Sequence, residues 1–147
     1  MRAPLRYGGS LRQHKGNAMV WVDIVGTLAV LQLIVFGILV GRARGLYGVH
    51  APAISGHPLF ERYFRVQMNT LELLPALLVA LWLGAKYWSP KWAAILGAVY
   101  LVGRVVYLLS YVKDPAKRSA GFSLSALPIL ILIAAILCGA VRALLAG

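Results

Sequence analysis

Four stretches of about 20 residues or more run through this sequence with almost no charge in them. They extend from about Val20 to Val40, Val66 to Trp88, Trp92 to Val112 and Phe122 to Leu145. At 1.5 Å per residue, roughly 20 apolar residues of helix cross a hydrocarbon layer about 30 Å thick. None of the stretches alternates with the period of two that a lipid-facing barrel strand would show. Inside lipid the backbone must satisfy its own hydrogen bonds, so each is predicted as a helix. The expected fold is an all-α integral membrane protein, a bundle of four transmembrane helices.

Composition removes the alternatives. Of 147 residues, 61% are hydrophobic and 13% charged, about half the usual ~25% of a soluble domain. Disordered chains combine low hydrophobicity with high charge, the reverse of this balance. A single cysteine, Cys138, excludes a disulfide-stapled module. Fifteen Lys and Arg against four acids (Asp23, Glu61, Glu72, Asp114) give a net charge of +11. The basic residues are spread between apolar segments, without the clustered, aromatic-interleaved patch of a nucleic-acid binder. Anionic headgroups and an acidic ligand fit this charge; nucleic acid does not.

The connections differ in kind. Residues 41–64 (GRARGLYGVHAPAISGHPLFERYF) read as a long first loop, Ser89-Pro90-Lys91 as a tight turn, and 113–121 as a short basic third loop. Residues 1–18 read as a polar, basic and disordered tail. MVWVD at Met19 is an ordinary beginning for a membrane helix, so translation from Met19 is an alternative start. Loops one and three share one side and hold seven basic residues: Arg42, Arg44, Arg62, Arg65, Lys113, Lys117 and Arg118. The other side holds Lys86, Lys91 and Arg142, joined by Arg2, Arg6, Arg12 and Lys15 if the tail is present. The positive-inside rule places loops one and three in the cytoplasm when the tail is left out; with it the count is even.

Two sets of polar residues lie where lipid should be. In the second span Arg65, Asn69 and Glu72 follow i, i+4, i+7, one helical stripe. In the third, Tyr100, Arg104, Tyr107 and Tyr111 follow i, i+4, i+7, i+11, again one stripe. Glu72 and Arg104 lie at similar depth, roughly 10 Å in from the same side. An ionisable group in a membrane helix costs about 2.5–3.5 kcal/mol on insertion scales, so it faces the interior and has a partner. One reading is a structural ion pair that staples the bundle. The other is a ligand site: guanidiniums, an amide, a carboxylate and phenols suit a small zwitterion with several carboxylates and one ammonium.

The segment FERYFRVQMNTLELLP (Phe60 to Pro75) has the pattern E-R-x-x-R-x-Q-x-N-x-x-E, followed by a helix with R-x-x-Y-x-x-x-Y and a basic loop. This pattern resembles the membrane-associated proteins in eicosanoid and glutathione metabolism, the MAPEG family, over about Gly41 to Val141. The stretches GRARGLYGVHAPA and GHPLFERYFRVQMNTLE are similar to its bacterial branch. The resemblance implies a homotrimer of four-helix subunits in a bacterial inner membrane, binding glutathione as co-substrate between subunits near the cytoplasmic face. By the same resemblance Arg65, Gln67, Asn69 and Glu72 hold glutathione from one helix, Arg104, Tyr107 and Tyr111 from another, and Arg44 from the first loop. Arg118, with Arg104 as second choice, is implied as the residue that activates the thiol. The implied activity is transferase or peroxidase chemistry on a hydrophobic electrophile or lipid hydroperoxide, without metal. Two positions depart from the family's leukotriene-synthase-like members: Leu73 stands where they have tyrosine, and Arg44-Gly45 where they have a doubled arginine. They leave open a member that binds lipid as a scaffold without catalysing. A solute transporter lined by the polar stripe is a third reading.

Other residues read as structural. His50 and His57 have no third metal ligand at suitable spacing. Cys138 is expected as a small buried apolar residue and Asp23 as an acid in the first turn of its helix. Pro75 and Pro128 either kink their helices or are absorbed by packing. Trp82, Trp88 and Trp92 read as an interfacial belt.

Overall fold

The computed structural model describes the backbone from Gly8 and the side chains from Ala18, through to Gly147. Four long helices follow one another: α1 (Gly8–Tyr47), α2 (Pro58–Tyr87), α3 (Pro90–Lys113) and α4 (Ser119–Ala146). A short 3-10 helix, Pro115–Arg118, stands between α3 and α4. All four long helices are apolar and long enough to cross a membrane. Of the expected tail, residues 1–7 lie outside the described residues, and 8–17 contribute only the backbone at the start of α1.

Each helix extends beyond its apolar stretch. The segment GRARGLY, expected in the first loop, continues α1 to Tyr47, and PLFERYFR belongs to α2. The first loop is therefore residues 48–57, not 41–64. Hydropathy marks only the length bathed in lipid; the charged turns beyond it remain helical because they are capped. His57 Nδ1 accepts from the Leu59 amide at 3.2 Å, and Pro58 occupies the first turn, where its missing N–H costs nothing. The His57 ring stacks on Tyr47 at 4.2 Å, joining the two ends of the loop.

α2 and α3 form the central pair. α1 packs on one side against both, and α4 packs on the other. Their largest buried cluster draws Val22, Val25 and Ala29 from α1, Leu77 and Leu81 from α2, Tyr100 from α3, and Ile129 and Leu132 from α4. Lipid tails are as apolar as leucine, so contact between helices rests on close packing and polar bonds rather than on escape from water. The α3–α4 seam shows this. A Cβ at Gly103 would stand 2.7 Å from the Leu124 carbonyl carbon, and one at Gly121 would meet the Tyr107 backbone. The outer faces carry large exposed aliphatics such as Ile34, Ile38, Leu109, Leu130 and Leu137, a surface suited to acyl chains.

Two readings of structural residues change, those of Cys138 and Asp23, and for the two helix prolines the open alternatives narrow. Cys138 is exposed on the outer face of α4, not buried. Asp23 is not in a first turn, because α1 begins far upstream; its Oδ1 accepts from the Trp82 indole at 3.1 Å, so Trp82 ties α2 to α1. Both Pro75 and Pro128 lie inside unbroken helices.

Candidate functional site

The two polar stripes meet at the α2–α3 contact. Arg104 has no exposed surface. Its Nη1 donates to Asn69 Oδ1 at 3.1 Å, and Asn69 Nδ2 donates to Glu72 Oε2 at 3.2 Å. The expected direct pairing of Glu72 with Arg104 is therefore replaced by a chain with the asparagine amide in the middle. The order of burial is graded: Arg104 buried, Asn69 half-buried, Glu72 exposed. A guanidinium only donates, so Asn69 must turn its oxygen inward and its NH2 toward the carboxylate.

Aromatic rings continue the line toward the loop end. The Arg104 guanidinium lies 4.4 Å from the Tyr107 ring centroid, and Tyr107 stacks on Tyr111 at 5.4 Å. Arg65 and Arg118 are exposed and within Coulombic reach of the Tyr107 hydroxyl. The structure thus gathers Arg65, Asn69, Glu72, Arg104, Tyr107, Tyr111 and Arg118 along the half of the α2–α3 pair that runs from mid-helix to the first- and third-loop end.

Two residues of the implied set point elsewhere in this chain. Gln67 stands about 200° around α2 from Arg65, and its amide nitrogen lies 3.2 Å from where a Cβ on Gly37 of α1 would be. Arg44 Nη1 donates to the Ala53 carbonyl at 2.7 Å, with its guanidinium 4.7 Å from the Phe60 ring centroid. Its present contacts are therefore with the first loop and the start of α2.

One contact beside the site was missed in the sequence. Arg62 Nη1 donates to the Val112 carbonyl at 2.9 Å and the Lys113 carbonyl at 3.2 Å, tying α2 to the end of α3. In the sequence alone Arg62 counts only as a topological charge. Its place three residues before Arg65, on nearly the same face, was the available signal.

The sequence profile of the MAPEG family matches residues 23–138, most of the chain and both stripes. The chain belongs to the MAPEG family. Among its relatives, an uncharacterized protein of Synechocystis is 47% identical over 115 residues, 78% of this chain and 84% of the relative. Microsomal glutathione S-transferase 2 of Homo sapiens is 39% identical over 110 residues, 75% of this chain and 74% of the relative. Leukotriene C4 synthase of Cavia porcellus is 36% identical over 110 residues, 75% and 73% of the two chains. With its four spans, this MAPEG member is an integral, multi-pass membrane protein.

Proposed function

We propose that this protein is a membrane-bound glutathione-dependent transferase or peroxidase acting on hydrophobic electrophiles or lipid hydroperoxides. The observation that carries the reading is the Arg104–Asn69–Glu72 chain: a buried cation directs an amide toward a carboxylate that stays exposed. A structural staple would have buried both charges together. Here the free acceptor faces outward, where it can take the ammonium of the γ-glutamyl end of glutathione, while Arg65 and the tyrosine hydroxyls offer donors to its carboxylates. The relatives named for glutathione transfer and leukotriene synthesis support the same class.

Glu72 and Arg65 are exposed on the outer face of α2, and Glu72 stands near the middle of that helix. A charge there would cost about 2.5–3.5 kcal/mol against lipid. We therefore assign this face to contact with further copies, as a homotrimer in which Gln67 and Arg44 serve a neighbouring site. Loops one and three, with their arginines, face the cytoplasm of a bacterial inner membrane in this reading.

Arg118 is the residue we assign to the thiol. A free thiol ionises near pH 8.5, and its thiolate is the nucleophile. A guanidinium beside the sulfur favours the anion and stays charged itself. The thiol proton leaves to solvent, and the thiolate sulfur bonds to the electrophilic carbon as the bond from that carbon to its leaving group breaks. With a hydroperoxide the sulfur takes the distal oxygen, and the O–O bond breaks to leave the alcohol. A second glutathione converts the resulting sulfenic acid to disulfide and water, the guanidinium keeping its own proton throughout. Arg118→Ala is expected to remove the thiolate ultraviolet absorbance of bound glutathione and to lower turnover at pH 7 on the order of a hundredfold. Ionisation would return toward about 8.5, so part of the lost rate should reappear as pH rises. A wild-type absorbance and pH profile in the variant would remove Arg118 from the mechanism. Leu73, which lacks the tyrosine hydroxyl of the leukotriene-synthase-like members, favours a second reading as a lipid-binding scaffold; lipid binding without any thiol chemistry would establish it.

A further inference from the structure

We propose that Arg62 is a positioning residue that sets where Arg118 stands relative to the α2 half of the site. The inference rests on the thiol role given to Arg118 above. Its ground is the hydrogen bonding of the Ser110, Val112 and Lys113 carbonyls at the end of α3. A helix leaves its last carbonyls without amide partners. The Ser110 carbonyl is taken by the Asp114 amide at 2.8 Å. Pro115, next in line, has no N–H. The Ala116 amide goes to the Asp114 side chain at 3.1 Å, and the Lys117 amide to the Asp114 carbonyl at 3.0 Å. The Val112 and Lys113 carbonyls are therefore left to a donor from outside the segment, and Arg62 of α2 supplies it.

The chain beyond that clamp is short and fixed. Asp114 caps the 3-10 helix through Ala116 and lies 3.8 Å from the Lys117 ammonium, and Arg118 is the last residue of that helix. Once Arg62 holds residues 112–113, the route to Arg118 has little freedom. Among the described residues, side-chain hydrogen bonds cross from α2 to α3 at two places, Arg104–Asn69 and Arg62–Val112/Lys113. The site residues Arg65, Tyr107 and Tyr111 lie between these two ties in sequence order. The deep tie sets the amide and carboxylate; the shallow tie sets the separation of the helices where the thiol would lie. A positive charge near the last carbonyls also suits the negative end of α3.

The experiment compares wild type, Arg62→Leu and Arg62→Lys in detergent, by hydrogen exchange over residues 113–119 and by glutathione titration with thiolate absorbance. The expected result for Arg62→Leu is faster exchange in 113–119 and a thiolate signal reduced at least fivefold at pH 7. Glutathione affinity should move less than threefold, because Arg65, Asn69 and Glu72 are untouched. Arg62→Lys, which keeps a donor of similar reach, should restore most of the signal and the protection. If Arg62→Leu does not fold, the lysine variant must still show wild-type protection and signal, and failure there overturns the proposal. A wild-type thiolate signal in Arg62→Leu, with or without faster exchange, reduces Arg62 to a helix cap and also overturns it. A wild type that binds no glutathione sinks the functional reading itself, and the exchange arm still reports whether the clamp exists.

Discussion

Arg104→Leu is expected to weaken glutathione binding about 10- to 150-fold while leaving the bundle folded and at least as resistant to heat. The two effects have separate origins. Arg104 is fully buried, yet its Nε and Nη2 atoms have no hydrogen-bond partner among the described residues, and it faces an amide rather than a carboxylate. Replacing buried charge by well-packed apolar groups is often neutral or stabilising by about 1–4 kcal/mol. The cost falls on the site. Without the guanidinium, the Asn69 oxygen loses the donor that anchors it, and the amide that donates to Glu72 is no longer held in place from the buried side. A hydrogen bond to a charged group contributes about 1.5–3 kcal/mol, and about 1.4 kcal/mol is tenfold in affinity. Titration in detergent and a thermal scan of the same sample read both quantities. Unchanged affinity, or a melting temperature lower by more than about 5 °C, would make Arg104 a structural residue. Glu72→Gln should lose affinity as well, without the gain in heat resistance, since it removes no buried charge.

Gly121→Leu should do the opposite: the bundle itself fails. A Cβ at Gly121 would meet the Tyr107 backbone, and backbone cannot rotate away as a flexible side chain does. Overpacking costs typically 1–3 kcal/mol, and about the upper end or more is expected where main chain blocks main chain. Gly103 faces the same helix, with Ser125 N at 2.8 Å from its would-be Cβ, so α4 has no room to slide. Because Tyr107 bears on both the seam and the site, glutathione affinity should fall together with melting temperature. Gly41→Leu is the control: nothing lies within 4 Å of the Cβ it would add, and it should melt within a degree or two of wild type. Equal melting of Gly121→Leu and wild type would mean that the α3–α4 seam is looser than the structure shows.

The spans were legible because apolar length is a direct physical requirement of the bilayer. Their ends were not. The turns GRARGLY and FERYF are charged, and nothing in hydropathy separates a helix that leaves the membrane from a loop. The stripe of Arg65, Asn69 and Glu72 was legible from 3.6-residue periodicity, and so was its meeting with Arg104. Which groups would touch was not, since spacing gives a face and a depth but no rotamer. Asn69 therefore stood as one ligand among several, although it is the link between the two charges. Gln67 was assigned by resemblance against its own periodicity, which turns it toward α1. Asp23 and Trp82 are 59 positions apart, and no local pattern signals their bond.

The tightness of the turn at Trp88 and Ser89 has a consequence for biogenesis. α2 and α3, which carry nearly every group of the site, form one contiguous hairpin from Pro58 to Lys113. Such a unit can enter the bilayer as a pair, so that Asn69 and Arg104 find each other before α4 has been synthesised. A guanidinium crossing the translocation machinery then travels already accompanied, and the last helix closes over a centre whose polar order is in place.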